Sequence, residues 1–340
     1  MLKKVKLDEA IGMVLAHDVT KVIPGKFKGP AFRRGHVIQR EDIPELLQIG
    51  KEHIYVMELE VGEVHEEEAA LRIARTIAGS GIEFGEAREG RVNLKAKIPG
   101  LLKIDIPLLK EINSLGEITV ATLHNNSVCQ VGTIVAGAKV TPLIINEDKV
   151  REVERACRSQ GRVIDVIPIK KKRIGIVITG NEVFEGRIED KFGGVMQRKI
   201  ESLGSAIIHK IIVPDNVDMI AQALRELKTN KSGVMIACGG LAVDADDVTV
   251  AGVSKVGAEI ISYGAPVMPG AMFLYAMWEG IPILGAQAAV IYNPTTIFDL
   301  ILPRVLAEEK ISREDIVELG HGGLCLNCEK CSFPVCPFGK

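Results

Sequence analysis

The chain lacks several things, and each absence narrows what it can be. Charge of one sign is not in excess, since 42 Lys and Arg stand against 44 Asp and Glu for a net charge of −2. The whole-molecule field therefore offers no attraction to nucleic acid or to an anionic lipid surface, and any affinity for phosphate has to be local. No uninterrupted apolar run approaches the roughly 18 residues of a membrane span, and the opening Met1-Leu2-Lys3-Lys4-Val5-Lys6 is charged where a secretory leader would be apolar. The expectation is a cytoplasmic protein without a membrane or nucleic-acid partner. No internal repeat or low-complexity stretch is visible. Outside the last sixteen residues cysteine is sparse: Cys129, Cys157 and Cys238 are isolated and read as small buried hydrophobes.

What is present is a globular composition. In 340 residues, 47% are apolar, enough for two or three domains with real cores. The pattern changes near Lys170-Lys171-Lys172-Arg173. Ahead of that basic run, short β-like segments are broken by Gly and Pro. Strands are predicted at 13–19, 37–38, 53–56, 91–98, 117–122 and 138–145, and helices after Pro44 and at 66–78, 107–112 and 147–159. Behind it, apolar strands alternate with amphipathic helices: strands at 173–178, 205–213, 234–238, 258–262 and 281–284, helices at 194–203, 217–227, 248–256 and 295–306. Such alternation predicts a three-layer α/β domain with a mostly parallel sheet and helices on both faces. The organisation expected is a β-rich domain over 1–60, a mixed α+β domain over 61–168, the α/β domain over 173–310 and a cysteine-rich tail over 311–340.

Three glycine-bearing turns follow strands of the second half. They are Thr179-Gly180-Asn181-Glu182, then Glu189-Asp190-Lys191-Phe192-Gly193-Gly194, and Cys238-Gly239-Gly240 six residues before Asp247-Val248-Thr249. Such loops leave amide N–H groups free for phosphate, and neighbouring carboxylates can hold a divalent cation against it. In parallel sheets ligands collect at the carboxyl ends of strands, where these turns fall. Taken singly, each turn is explained by local turn chemistry, and Asp246 and Asp247 equally suit helix capping.

The motif series resembles the molybdopterin-binding domain shared by molybdopterin adenylyltransferase, the molybdenum insertase and competence-damage-inducible proteins. Thr179 to Glu182 is similar to the insertase's Thr-Gly-Asp-Glu, Asp190 to Gly194 to the adenylyltransferase's Asp-x-Ser-Gly, and Gly239-Gly240 to Thr249 to the family's Gly-Gly and Asp-Val-Thr at their spacing. Pro266-Val267-Met268-Pro269-Gly270 is similar to Met-Lys-Pro-Gly. Weaker similarity to the insertase covers residues 10–19 and 131–136. The resemblance implies molybdopterin or adenylated molybdopterin as ligand, Mg²⁺ held by Asp190 and Asp247 as the functional acids, and Thr179, Gly180, Asn181, Glu182, Gly193, Gly194, Gly239, Gly240, Asp246, Thr249, Pro269, Gly270 and Gly285 around the cofactor. It also implies molybdate as co-substrate and a homo-oligomer.

Two departures stand out. The family's Gly-Leu-Pro-Gly-Asn-Pro loop falls on Gly285-Ala286-Gln287-Ala288-Ala289-Val290, without its second glycine and its prolines, and the insertase's carboxy-terminal β domain has no counterpart. In its place stands Cys325-x2-Cys328-x2-Cys331-x4-Cys336-Pro337. This run resembles a bacterial ferredoxin ligand set with the last gap one residue longer, and it suits tetrahedral Zn²⁺ equally. The sequence thus leaves three functions open. They are an insertase-like enzyme of molybdenum cofactor assembly, a non-catalytic molybdopterin carrier or sensor whose tail meets a molybdoenzyme, and a nucleotide pyrophosphatase.

Overall fold

The computed structural model describes residues 2–57 and 59–339. Its contacts divide the chain into two compact units, one of residues 1–123 and 129–166, the other of 124–128 and 167–340.

In the first unit, an antiparallel sheet orders its strands Ile82–Phe84, Arg91–Ala96, Ile134–Val140 and Ile118–Thr122. Along Arg91–Ala96 the even-numbered residues Val92, Leu94 and Ala96 are wholly buried, while Arg91 and Lys95 reach solvent. One face is therefore dry and the other wet. The dry face packs on helix Glu66–Ile77, whose Ala69, Ala70, Ile73, Ala74 and Ile77 form its apolar stripe. His65 caps that helix by accepting from the Glu67 amide at 3.2 Å. Residues 13–19, expected as one strand, make only single bridges at Val14 and Leu15. The strand begins at Val19 and turns into a hairpin with Phe27–Phe32.

The second unit is built on six strands: β1 (Arg173–Thr179), β2 (Ala206–Val213), β3 (Val234–Cys238), β4 (Glu259–Tyr263), β5 (Leu274–Trp278) and β6 (Ile281–Ala286). Their order is β2-β1-β3-β6-β5-β4. The first four in that order are parallel, and β5 and β4 complete the edge antiparallel. Helices α1 (Asn181–Phe184), α2 (Phe192–Glu201), α3 (Val217–Thr229), α4 (Thr249–Lys255), α5 (Ala289–Tyr292), α6 (Ile297–Leu306) and α7 (Arg313–Glu318) follow in chain order. Alternate residues of the central strands feed two cores. Ile174, Ile176, Ile178 and Ile236 meet Met196 and Ile200 of α2 and Phe298 and Ile301 of α6. Val177 and Met235 meet Ile220 and Leu224 of α3 and Val253 of α4. With helices on both faces, the sheet is open only at its strand ends, and this is the mostly parallel three-layer arrangement expected. Strand β5 was not anticipated.

Candidate functional site

At the carboxyl end of β3, Gly239 and Gly240 both adopt positive φ, 91° and 58°. Their neighbours explain why glycine is needed. A Cβ on Gly239 would stand 2.7 Å from the Thr179 carbonyl oxygen, and one on Gly240 would stand 2.5 Å from Thr249 Oγ1. The Thr249 hydroxyl donates to the Gly239 carbonyl at 2.8 Å and lies 3.2 Å from the Thr179 hydroxyl. Both threonines are buried. They hold the glycine turn from beneath, through the Gly239 carbonyl and their own hydroxyl contact.

The following loop carries the acids. Asp244 and Asp246 are exposed and Asp247 is half-buried. Asp247 closes a turn by accepting from the Asp244 amide at 3.0 Å, and Tyr263 of β4 ties the loop's start by donating to the Leu241 carbonyl at 2.8 Å. At the neighbouring end of β1, Gly180 has φ 147°. Asn181 then exchanges two hydrogen bonds with Asp215, its amide donating to Asp215 Oδ2 at 3.0 Å and its Oδ1 accepting from the Asp215 amide at 3.1 Å. Asp215 follows β2 and was not singled out from the sequence. Burial pushes its carboxyl above the usual range, the Asn181 amide opposes this, and the charges of Glu182, Asp247 and Asp246 push it further up. Negative charge from three loops is therefore concentrated at this rim.

Asp190 lies in a different setting. Its Oδ1 accepts from the Gly193 amide at 3.0 Å and its Oδ2 from Lys210 Nζ at 3.1 Å. A Cβ at Gly193 would stand 2.5 Å from that Oδ2. The expectation that Asp190 and Asp247 share one cation meets this arrangement: both oxygens of Asp190 are already engaged. The charge of Asp190 also helps burial push the Cys238 thiol up. Gly194 keeps an open surround, with only Arg198 Nη1 near, at 3.8 Å from a built Cβ.

The remaining residues divide between packing and loop. Gly285 sits inside β6, and a Cβ there would stand 2.6 Å from Leu274 Cβ and 2.9 Å from Leu241 Cδ1, so close packing accounts for it. Gly270, at φ 126°, lies against Ile297 of α6, and the Met268–Pro269 peptide before it is cis. The loop after β6 folds into the short α5, and Asn293-Pro294 stands directly before Thr296, the N-cap of α6. An Asn-Pro pair thus stands at 293–294, beyond residues 285–290 on which the family's loop was placed. Lys199 of α2 anchors it, donating to the Pro294 carbonyl at 2.7 Å and to Asp299 at 2.6 Å. Among the described residues, no three His, Cys, Asp or Glu side chains are gathered in metal-binding geometry, and no helix is long and apolar enough to cross a membrane.

Residues 175–317 match the family described as "Probable molybdopterin binding domain", and residues 4–58 match a family described only as a domain of unknown function. A CinA-like protein of Mycobacterium sp. (strain MCS) is 38% identical over 83 residues, 24% of this chain and 20% of that protein. The chain thus spans about a fifth of the length of such curated relatives. Among solved structures, the tungsten cofactor synthesizing protein MoaB from Pyrococcus furiosus aligns at 15% identity over 42% of this chain and 98% of its own, with a TM-score of 0.34. The molybdopterin biosynthesis moea protein from Pyrococcus horikosii aligns at 12% identity over 91% of this chain and 75% of its own, also at 0.34. Over residues 175–317 the chain is therefore similar to the molybdopterin-binding domain family.

Proposed function

We propose that the second unit binds molybdopterin, or its adenylate, at the carboxyl end of its sheet and acts in molybdenum cofactor biosynthesis. The observation that carries this is the Gly239-Gly240 turn. It lies within the matched family segment, is fixed by Thr179 and Thr249, and is bordered by the acids of three loops. The amides beyond Gly240 and at the start of α2 would meet the ligand's phosphate, with Lys210 beside them. The negative charge of Glu182, Asp215, Asp246 and Asp247 would attract a hard divalent cation such as Mg²⁺, which prefers carboxylate oxygens, and these side chains would have to draw together to hold it. Such a cation would supply positive charge against the ligand's phosphate, with Asp247 and its neighbouring carboxylates to hold it. Asp247 is its foremost ligand here, while Asp190 holds the Gly193 amide and the Lys210 ammonium in place.

A second reading is a non-catalytic molybdopterin carrier. It is favoured by the loop after β6, where α5 replaces glycine and proline and leaves fewer free amides for an anion. One experiment separates the readings: purified protein with adenylated molybdopterin, Mg²⁺ and molybdate. Mg²⁺-dependent AMP release coupled to molybdenum loading supports the enzyme, and tight binding without turnover supports the carrier. Indifference to the pterin with hydrolysis of simple nucleotide diphosphates would overturn both. Asp247→Asn keeps an oxygen for the Asp244 amide, so it should preserve the fold while abolishing Mg²⁺-dependent release. Unchanged release would remove Asp247 from the site.

A further inference from the structure

The segment after α7 is held at both ends. At its start the Met268 amide donates to the Gly323 carbonyl and the Cys325 amide to the Met268 carbonyl, each at 2.8 Å. At its end the Gly339 amide donates to the Gly322 carbonyl at 2.9 Å. Phe338 is buried and meets Phe333 edge-on, with ring centroids 6.4 Å apart. The segment is a loop closed on itself and fastened to the domain.

Within that loop Cys325, Cys328, Cys331 and Cys336 all line one cavity, whose opposite wall includes Asn293 and Thr295 ahead of α6. Its free volume is about 60 Å³, several times what a single water needs and far short of what a pterin needs. Two polar groups reach the sulfurs from outside: the Asn327 amide donates to Cys325 Sγ at 3.5 Å, and the Thr295 hydroxyl, free to donate to a thiolate, stands 3.7 Å from Cys331 Sγ.

The four side chains line the cavity without any three of them being gathered as ligands of a single ion, whereas zinc holds four sulfurs at about 2.3 Å around one atom. A cube of four irons and four sulfides holds its thiolates apart and fills the space, and hydrogen bonds to the sulfurs set its potential. We propose that Cys325, Cys328, Cys331 and Cys336 hold one [4Fe–4S] cluster in this cavity, with Asn327 and Thr295 donating to its thiolates. This site stands independently of what the sheet rim binds.

The test is the metal content of the full chain purified anaerobically. About four irons and four acid-labile sulfides per chain are expected, with a broad absorbance near about 400 nm that dithionite bleaches. Cys331→Ser and Cys336→Ser should each lower iron at least tenfold. Thr295→Val should keep the iron but move the midpoint potential to more negative values, because one donor to Cys331 is lost. One zinc per chain without sulfide would overturn the assignment, and so would metal-free protein with all its cysteines titrating as thiols.

Discussion

The sheets of the two units bury themselves differently, and the difference locates the ligand site. In the first unit, strands Arg91–Ala96 and Ile118–Thr122 alternate buried and exposed residues, so one face has a helix and the other has water. In the second, all five residues of β3 and six of the seven in β1 are buried, because helices cover both faces. A one-sided sheet can present side chains from its wet face. A sheet covered on both sides can offer a ligand only the backbone and loops at its strand ends, which is where Gly239, Gly240, Asp215 and Asp247 lie.

The sharpest way to break this contrast is to remove bulk from each sheet. Ile236→Ala in β3 should cost about 2–5 kcal/mol, since the side chain is wholly buried between layers. Thr119→Ala, on the exposed side of its strand, should stay within about 0.5 kcal/mol. Urea unfolding measures both. The fluorescence of the chain's one tryptophan, Trp278 of β5, reports the second unit, and far-UV circular dichroism reports both units together. Equal losses at the two positions would contradict the one-sided and two-sided burial described here.

Ion pairs repeat the contrast at smaller scale. Arg304 of α6 is 5% exposed and reaches Glu309 through two bonds, of 3.0 and 2.8 Å, and Asp315 at 2.7 Å. Arg72 of the first unit, 23% exposed, holds Glu147 and Glu154 at 2.9 and 3.0 Å. Arg304→Ala should fall at the lower end of about 3–5 kcal/mol, because its partners still touch water, and Arg72→Ala at about 1 kcal/mol or less. Acid titration adds a check. Burial pushes the Asp315 carboxyl up, but the Ser312 hydroxyl and amide and the Arg304 guanidinium outweigh it and hold the group at about 2 against an ordinary 3.8. A depressed carboxyl stabilises the fold above its unfolded value, so this contribution should be intact above about pH 4 and fade toward pH 2. In Arg304→Ala that acid-dependent loss should shrink; an unchanged acid profile would show that Arg304 does not set it.

How much of this was legible in the sequence follows from the range of the interactions concerned. The strands β1, β2, β3 and β6 announce themselves as apolar runs between turn residues, and the helices by their 3.6-residue stripe. Strand β5 does not, because it is joined to β6 by the two-residue turn Glu279-Gly280, with φ 48° and 80°. That turn needs positive φ at both positions, and a glutamate gives no hint of it. Asp215 was invisible because its importance comes from Asn181, 34 residues away. Gly285 shows the converse: the family resemblance places it in a ligand loop, while the structure also gives it a packing reason, the close approach of Leu274 and Leu241 inside β6. The Asn-Pro pair at 293–294 was passed over because the short α5 separates it from the end of β6.

Glycine turns give the smallest and cleanest form of the contrast. Gly116, in the turn between a helix and strand Ile118–Thr122 of the first unit, has φ 69° and nothing within 4 Å of a built Cβ. Gly116→Ala should therefore cost only the left-handed backbone penalty of about 1–2 kcal/mol. Gly240→Ala carries the same penalty at φ 58°, and its Cβ also meets Thr249 Oγ1 at 2.5 Å and Thr179 Oγ1 at 3.0 Å. Relief requires displacing the buried hydroxyl that holds the Gly239 carbonyl, so the turn itself must move. Both variants should stay folded by circular dichroism, but only Gly240→Ala should weaken molybdopterin binding, by tenfold or more in a fluorescence titration. Equal binding by the two would mean that the Gly239-Gly240 turn serves packing and that the ligand, if bound, meets the rim elsewhere.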